Sequence, residues 1–97
     1  MFTIDLSDDA LEELRQFRKR DSTTIFDEIE RQLTYQPNVE TRNRKPLRSH
    51  PLSEWELRID KFRVFYDIDI ENETVLVKAA GVKISNKLFI RGKEFPL

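Results

Sequence analysis

Around Trp55 the hydrophobic pattern of this 97-residue chain changes period, and that change narrows the accessible folds more than any other feature. Before it, apolar residues recur at helical spacing. Ala10, Leu11, Leu14 and Phe17 form one stripe; Ile25, Phe26, Ile29 and Leu33 form another. After it, apolar and polar residues alternate. Trp55, Leu57 and Ile59 point one way, and Glu56, Arg58 and Asp60 the other. Phe62, Val64, Tyr66, Ile68 and Ile70 continue the apolar row, with Arg63, Phe65, Asp67 and Asp69 opposite. Helices therefore belong to the first part of the chain and strands to the second, which is the order of an α+β domain.

Local signals add boundaries. Residues 2–6 alternate as a half-buried strand. Ser7 is a helix N-cap, and Asp8 and Asp9 favour the positive end of the helix that follows. Arg18, Lys19 and Arg20 are expected to close that helix, with Asp21, Ser22 and Thr23 as a turn and second cap. Pro37 ends the second helix. Residues 37–52 read as a connecting segment, punctuated by Pro37, Pro46 and Pro51. Glu71-Asn72-Glu73 is a turn. Residues 74–84 are almost continuously apolar and are expected at the centre of the sheet. Leu88-Phe89-Ile90 is a last short strand before the Arg91-Gly92 turn. The expectation is β-α-α-β-β-β: an N-terminal strand, a helical hairpin packed on an antiparallel sheet, and a single domain over residues 1–97.

Composition removes several classes of function. Cys is absent, so neither a disulfide framework nor a thiolate metal site is available. The acidic start and the lack of a long apolar run predict a soluble cytoplasmic protein with no membrane span. Only two Gly are present, so no phosphate-cradling loop is expected, and a single His provides no metal pair; no metal and no cofactor are expected. Charge is uneven. Residues 1–36 carry 9 acids and 5 bases, residues 37–66 carry 4 and 7, and residues 67–97 carry 5 and 5. The middle block is a local anion-binding candidate inside a nearly neutral chain.

That block contains a hairpin. If Asp60-Lys61 is a two-residue turn, Ile59 faces Phe62 and Arg58 faces Arg63 across the strands. Two like charges in direct opposition destabilise a sheet unless an anion joins them, and phosphate suits guanidinium geometry. Glu56 could instead neutralise them locally. Arg42, Arg44, Lys45 and Arg48 precede the hairpin as possible RNA contacts. Phe65, on the Arg63 side, is a candidate for stacking on a base. His50 is a possible general acid or base. Trp55 and Tyr66 lie in the apolar register and belong to the core.

The run Trp55-Glu56-Leu57-Arg58-Ile59-Asp60-Lys61-Phe62-Arg63-Val64-Phe65-Tyr66 resembles the central hairpin of RelE/ParE-type toxins. Arg44-Lys45-Pro46-Leu47-Arg48 resembles their approach to it, and Ala80-Gly81-Val82-Lys83 their third-strand ending. The resemblance implies a compact toxin held by an antitoxin whose helical segment wraps it. RelE-like members cleave messenger RNA in the ribosome without a metal, and ParE-like members inhibit DNA gyrase. It also implies catalytic roles for Arg58, Arg63 and Lys83, with Arg63 clamping the phosphate and Lys83 stabilising developing charge. Two positions depart from the family: Glu56 stands where a lysine is common, and Phe89 where a terminal tyrosine is. A gyrase inhibitor, or a non-catalytic homologue that only binds its antitoxin and represses its operon, therefore remains an alternative to an endoribonuclease.

Overall fold

A computed structural model describes residues 1–96. The chain runs β1 (Thr3–Leu6), α1 (Asp8–Arg15), α2 (Lys19–Leu33), β2 (Arg44–Pro46), β3 (Trp55–Ile59), β4 (Phe62–Asp69), β5 (Thr74–Ile84), β6 (Lys87–Ile90) and β7 (Lys93–Phe95). The α+β order expected from the change of period is present. The strands β2 to β7 lie side by side in chain order, each antiparallel to the next, and β1 pairs parallel to the first half of β5.

Ser7 caps α1 by accepting the Ala10 N–H at 3.1 Å, while its hydroxyl donates to the Lys78 carbonyl. The helix ends at Arg15, earlier than the sequence suggests, and Arg18 to Arg20 open α2 instead of closing α1. The reason is local. Phe17 leaves the helix to pack on Phe62, with ring centroids 5.0 Å apart. Asp21, Ser22 and Thr23, expected as a turn, lie inside α2. The Ser22 hydroxyl donates to the Leu14 carbonyl at 2.6 Å, so this residue caps the end of α1. The connecting segment also contains a strand, β2, whose Lys45 sits opposite Glu56 of β3.

Two cores form, one on each side of the sheet. The larger lies under the helices. Ala10, Leu14, Ile25, Ile29 and Leu33 meet Leu57, Ile59, Phe62, Val64, Tyr66, Val75, Val77 and Ala80. The smaller lies on the far side, where Phe65, Ala79 and Leu88 are covered by Leu47, Leu52, Ile90 and Phe95. One irregularity serves both. Phe65 pairs with Ala79 but Tyr66 with Val77, which leaves Lys78 as an extra residue on β5. The bulge moves the helix-facing positions of β5 from Val75 and Val77 to Ala80 and Val82, which explains the nearly unbroken apolar run of this strand.

Along one edge of β5, β1 reaches only to Val77 and β6 begins opposite Val82. The side chain of Glu13 fills the gap. It is 5% exposed, accepts the Ala80 N–H at 2.8 Å, and lies 3.2 Å from Arg91, which also binds Asp9. Burial raises the Glu13 pKa above the ordinary carboxylate value, with the Ala80 bond and Arg91 opposing it. A carboxyl raised in the folded state contributes stability below its unfolded pKa and loses that contribution as pH rises through the folded one. Glu13→Gln keeps the acceptor for Ala80 and cannot ionise. The prediction is that the variant gains stability relative to the parent as pH rises from about 4 to about 7, read from urea midpoints. A shift of the opposite sign would mean that Arg91 outweighs burial.

Candidate nucleic-acid interface

The β3–β4 turn has the expected register. Asp60 takes a left-handed backbone, φ 53°, and Ile59 pairs with Phe62 and Arg58 with Arg63. Both arginines rise from the sheet face opposite the helices. Glu56, two residues from Arg58 on β3, rises from the same face and lies between them.

The three side chains differ in freedom. Glu56 Oε2 accepts from Arg58 Nε at 3.1 Å, while Glu56 Oε1 is 3.9 Å from Arg63 Nε, too far for a hydrogen bond. Arg63 Nη1 donates to the carbonyls of Asp60 and Phe62, both at 2.8 Å, so this guanidinium braces the turn. Its Nε is buried without a hydrogen-bond partner. Burial pulls the Arg63 pKa below the ordinary arginine value, with Glu56 opposing the shift. The side chain of Arg58 is 41% exposed, against 13% for Arg63 and 12% for Glu56. Arg58 is thus the solvent-facing member of the pair and Arg63 the anchored one.

Gly81 faces Arg63 across β4 and β5. A Cβ there would come within 2.6 Å of the Phe89 carbonyl and 2.9 Å of Ile90 Cγ1. Its bareness lets β6 lie close against β5. Lys83, two residues on, shares this face, and its N–H donates to the Lys61 carbonyl at 2.8 Å. Arg58, Arg63 and Lys83 therefore stand on adjacent strands of one surface. Lys45 joins them from β2, opposite Glu56.

Other candidates fall elsewhere. Phe65 has no solvent exposure and is the centre of the smaller core, so it cannot stack on a base. Arg44 is buried on the helix side. Its guanidinium donates to the carbonyls of Val39 and Gln32 and to Gln32 Oε1, at 3.0, 3.1 and 2.6 Å, and this correction makes it a brace for the end of α2. Arg42 and Arg48 are exposed in the flanking segments. His50 stacks between Phe65 and Phe95 at 5.7 and 6.1 Å, and its Nδ1 accepts the Leu52 N–H. That bond leaves Nε2 as the protonated nitrogen of the neutral ring. Trp55 stacks on Tyr66 at 6.0 Å, and the buried Tyr66 hydroxyl donates to the Pro37 carbonyl. Burial raises the Tyr66 pKa far above the usual phenol value. Phe89 pairs with Val82 and points to the helix side, beside Phe17 and Arg91. It is not on the surface that carries the arginines. Among the described residues, no group of His and acidic side chains is placed to hold a metal.

Two helices on one side of a largely antiparallel sheet, after an N-terminal strand, make the RelE-like toxin fold. No protein-family model and no curated protein sequence matches the chain. Solved structures do. The RelBE2 toxin–antitoxin complex of Mycobacterium tuberculosis contains a chain 24% identical to this one, with a TM-score of 0.71, covering 84% of this chain and 98% of that one. The isolated E. coli RelE toxin gives 20% identity, a TM-score of 0.68, and coverage of 84% of each chain. The intact E. coli RelBE complex gives 21%, 0.68, and coverage of 87% and 99%.

The buried Arg44 and the exposed Arg48 of the approach segment have separable roles. Arg44→Ala removes part-buried charge-assisted bonds to Val39 and Gln32 and is expected to lower stability by about 2–4 kcal/mol in urea unfolding. Arg48→Ala, at an exposed position, is expected to stay within about 0.5 kcal/mol of the parent.

Proposed function

We propose that this chain is the toxin of a toxin–antitoxin pair and cleaves messenger RNA on the ribosome in the cytoplasm, as a RelE-like endoribonuclease. The observation that carries the reading is the direct cross-strand pairing of Arg58 with Arg63 on the helix-free face of this fold. The chemistry needs a 2′-hydroxyl to attack the adjacent phosphate, a base to take its proton, charge stabilisation at phosphorus and a proton for the leaving 5′ oxygen. Arg63, anchored on the turn, and Arg58, open to solvent, grip the phosphate. Lys83 stabilises the charge that develops on it. His50 is the one imidazole of the chain and the candidate proton carrier. Lys45, Arg42 and Arg48 extend the contact along the RNA backbone. No metal or cofactor enters the proposed reaction.

The proposed partner is an antitoxin with a helical segment that wraps the toxin. Two of the similar structures are toxin–antitoxin complexes, which supports this choice. A second reading is gyrase inhibition, or antitoxin binding and operon repression, without cleavage. It is favoured by Phe89 lying on the helix side and by the Tyr66 hydroxyl being committed to Pro37.

Induction of the protein should arrest growth and produce codon-phased breaks in translated messages. Arg63→Ala and Arg58→Ala should each reduce cleavage about a hundredfold or more, measured by primer extension. Arrest with intact messages and broken DNA would support the gyrase reading, and absence of arrest the non-catalytic one.

A further inference from the structure

We infer that Glu56 is a charge filter: it sets the seat between Arg58 and Arg63 for a singly charged internal phosphodiester and against a doubly charged terminal phosphate. The inference rests on reading this face as a backbone-phosphate site and adds which phosphate it accepts.

Two guanidiniums and one carboxylate make the seat. Glu56 turns its two oxygens towards the Nε edges of both arginines, at 3.1 and 3.9 Å. Arg63 Nη1 is committed to the carbonyls of Asp60 and Phe62. The remaining donors, Arg58 Nη1 and Nη2 and Arg63 Nη2, make no protein hydrogen bond among the described residues. They are what an incoming phosphate can use. With Glu56 in place the three groups carry one net positive charge, which a phosphodiester neutralises. A terminal phosphate carries nearly two negative charges above its second pKa of about 6. Its second charge meets the Glu56 carboxylate, which is largely out of water and hence weakly screened.

The lysines on this face add positive charge around the seat, and Glu56 is the carboxylate that lies within 4 Å of both guanidiniums. Lys45 is opposite Glu56 on β2 but forms no ion pair with it among the described residues. Asp60, at the turn, adds negative charge beside Arg63. Lys83 lies beyond Gly81 and serves the far side of the seat. The sequence departure at this position thus acquires a role. A lysine here would make the seat strongly cationic and favour the most highly charged ligand.

The test compares thymidine 5′-monophosphate with its methyl ester, which differ by one charge and one methyl group, at about pH 8, where the monoester is a dianion. Binding is followed by NMR on the arginine side-chain N–H signals of the parent and of Glu56→Gln, an isosteric change whose backbone spectrum reports retention of the fold. The parent should bind the methyl ester several-fold more tightly than the monophosphate. Glu56→Gln should reverse the order, tightening the monophosphate about tenfold or more and the ester less. A parent that prefers the dianion, or a variant that tightens both ligands equally, would overturn the filter while leaving the phosphate site standing. If neither ligand perturbs the Arg58 or Arg63 signals, the phosphate site itself fails, and the filter with it.

Discussion

The pairing of Ile59 with Phe62 around the Asp60-Lys61 turn is the constraint on which both sides of this sheet depend. Side chains alternate along a strand, so a slip of one residue would exchange the two faces. Leu57, Ile59, Phe62 and Val64 would leave the helices, and the arginines would enter the larger core. The turn that prevents this is supported from outside as well as within. Asp60 accepts the left-handed backbone that Asp tolerates better than most residues. The Arg63 guanidinium then ties back to the carbonyls of Asp60 and Phe62. One residue therefore holds the register and stands in the candidate site.

The centre of the sheet solves a different problem. β5 borders β4 along one edge and both β1 and β6 along the other, and neither β1 nor β6 covers that edge completely. Uncovered backbone groups beneath a helix would be costly. The extra residue Lys78 bends the strand there, and α1 supplies the missing partners. Ser7 takes the Lys78 carbonyl and Glu13 the Ala80 N–H. The first helix is thus hydrogen-bonded to the sheet as well as packed on it, and Arg91 extends the tie to the β6–β7 turn.

Much of this was legible from residues and some was not. The alternation from Trp55 carried the hairpin register, the shared face of Arg58 and Arg63, and the core placement of Trp55 and Tyr66, because period two leaves little freedom once one face is apolar. The boundary between the helices falls earlier than the charge pattern indicates. Basic residues suit a helix C-terminus, but Phe17 had a larger apolar contact to make with Phe62. The burial of Phe65 is hidden from the local pattern for a related reason. It shares a strand face with Arg63, yet the residues that bury it, Leu47, Leu52, Leu88, Ile90 and Phe95, come from segments distant in sequence. Arg44 looked like one more basic residue of a loop until the three-residue β2 turned it towards Gln32. A quieter signal was available for Glu13. It sits between Ala10 and Phe17 beside Leu14, on the apolar stripe of its helix, where an acid calls for a buried donor.

The second core also limits how any nucleic acid could be held on this face. Part of the surface is dry: Phe65, Ala79 and Leu88 are buried under Leu47, Leu52, Ile90 and Phe95, and His50 stacks on Phe65 and Phe95. The large aromatic rings of the hairpin are therefore spent on packing, Phe65 on this side and Trp55 and Tyr66 on the other. What stays open beside them is charged, with Lys45, Arg58, Arg63 and Lys83 around one carboxylate. Among the described residues, such a surface has donors suited to phosphate and no free ring on which to stack a base. A strand bound here would be held by its backbone, and any choice among sequences would have to come from whatever else presents the strand.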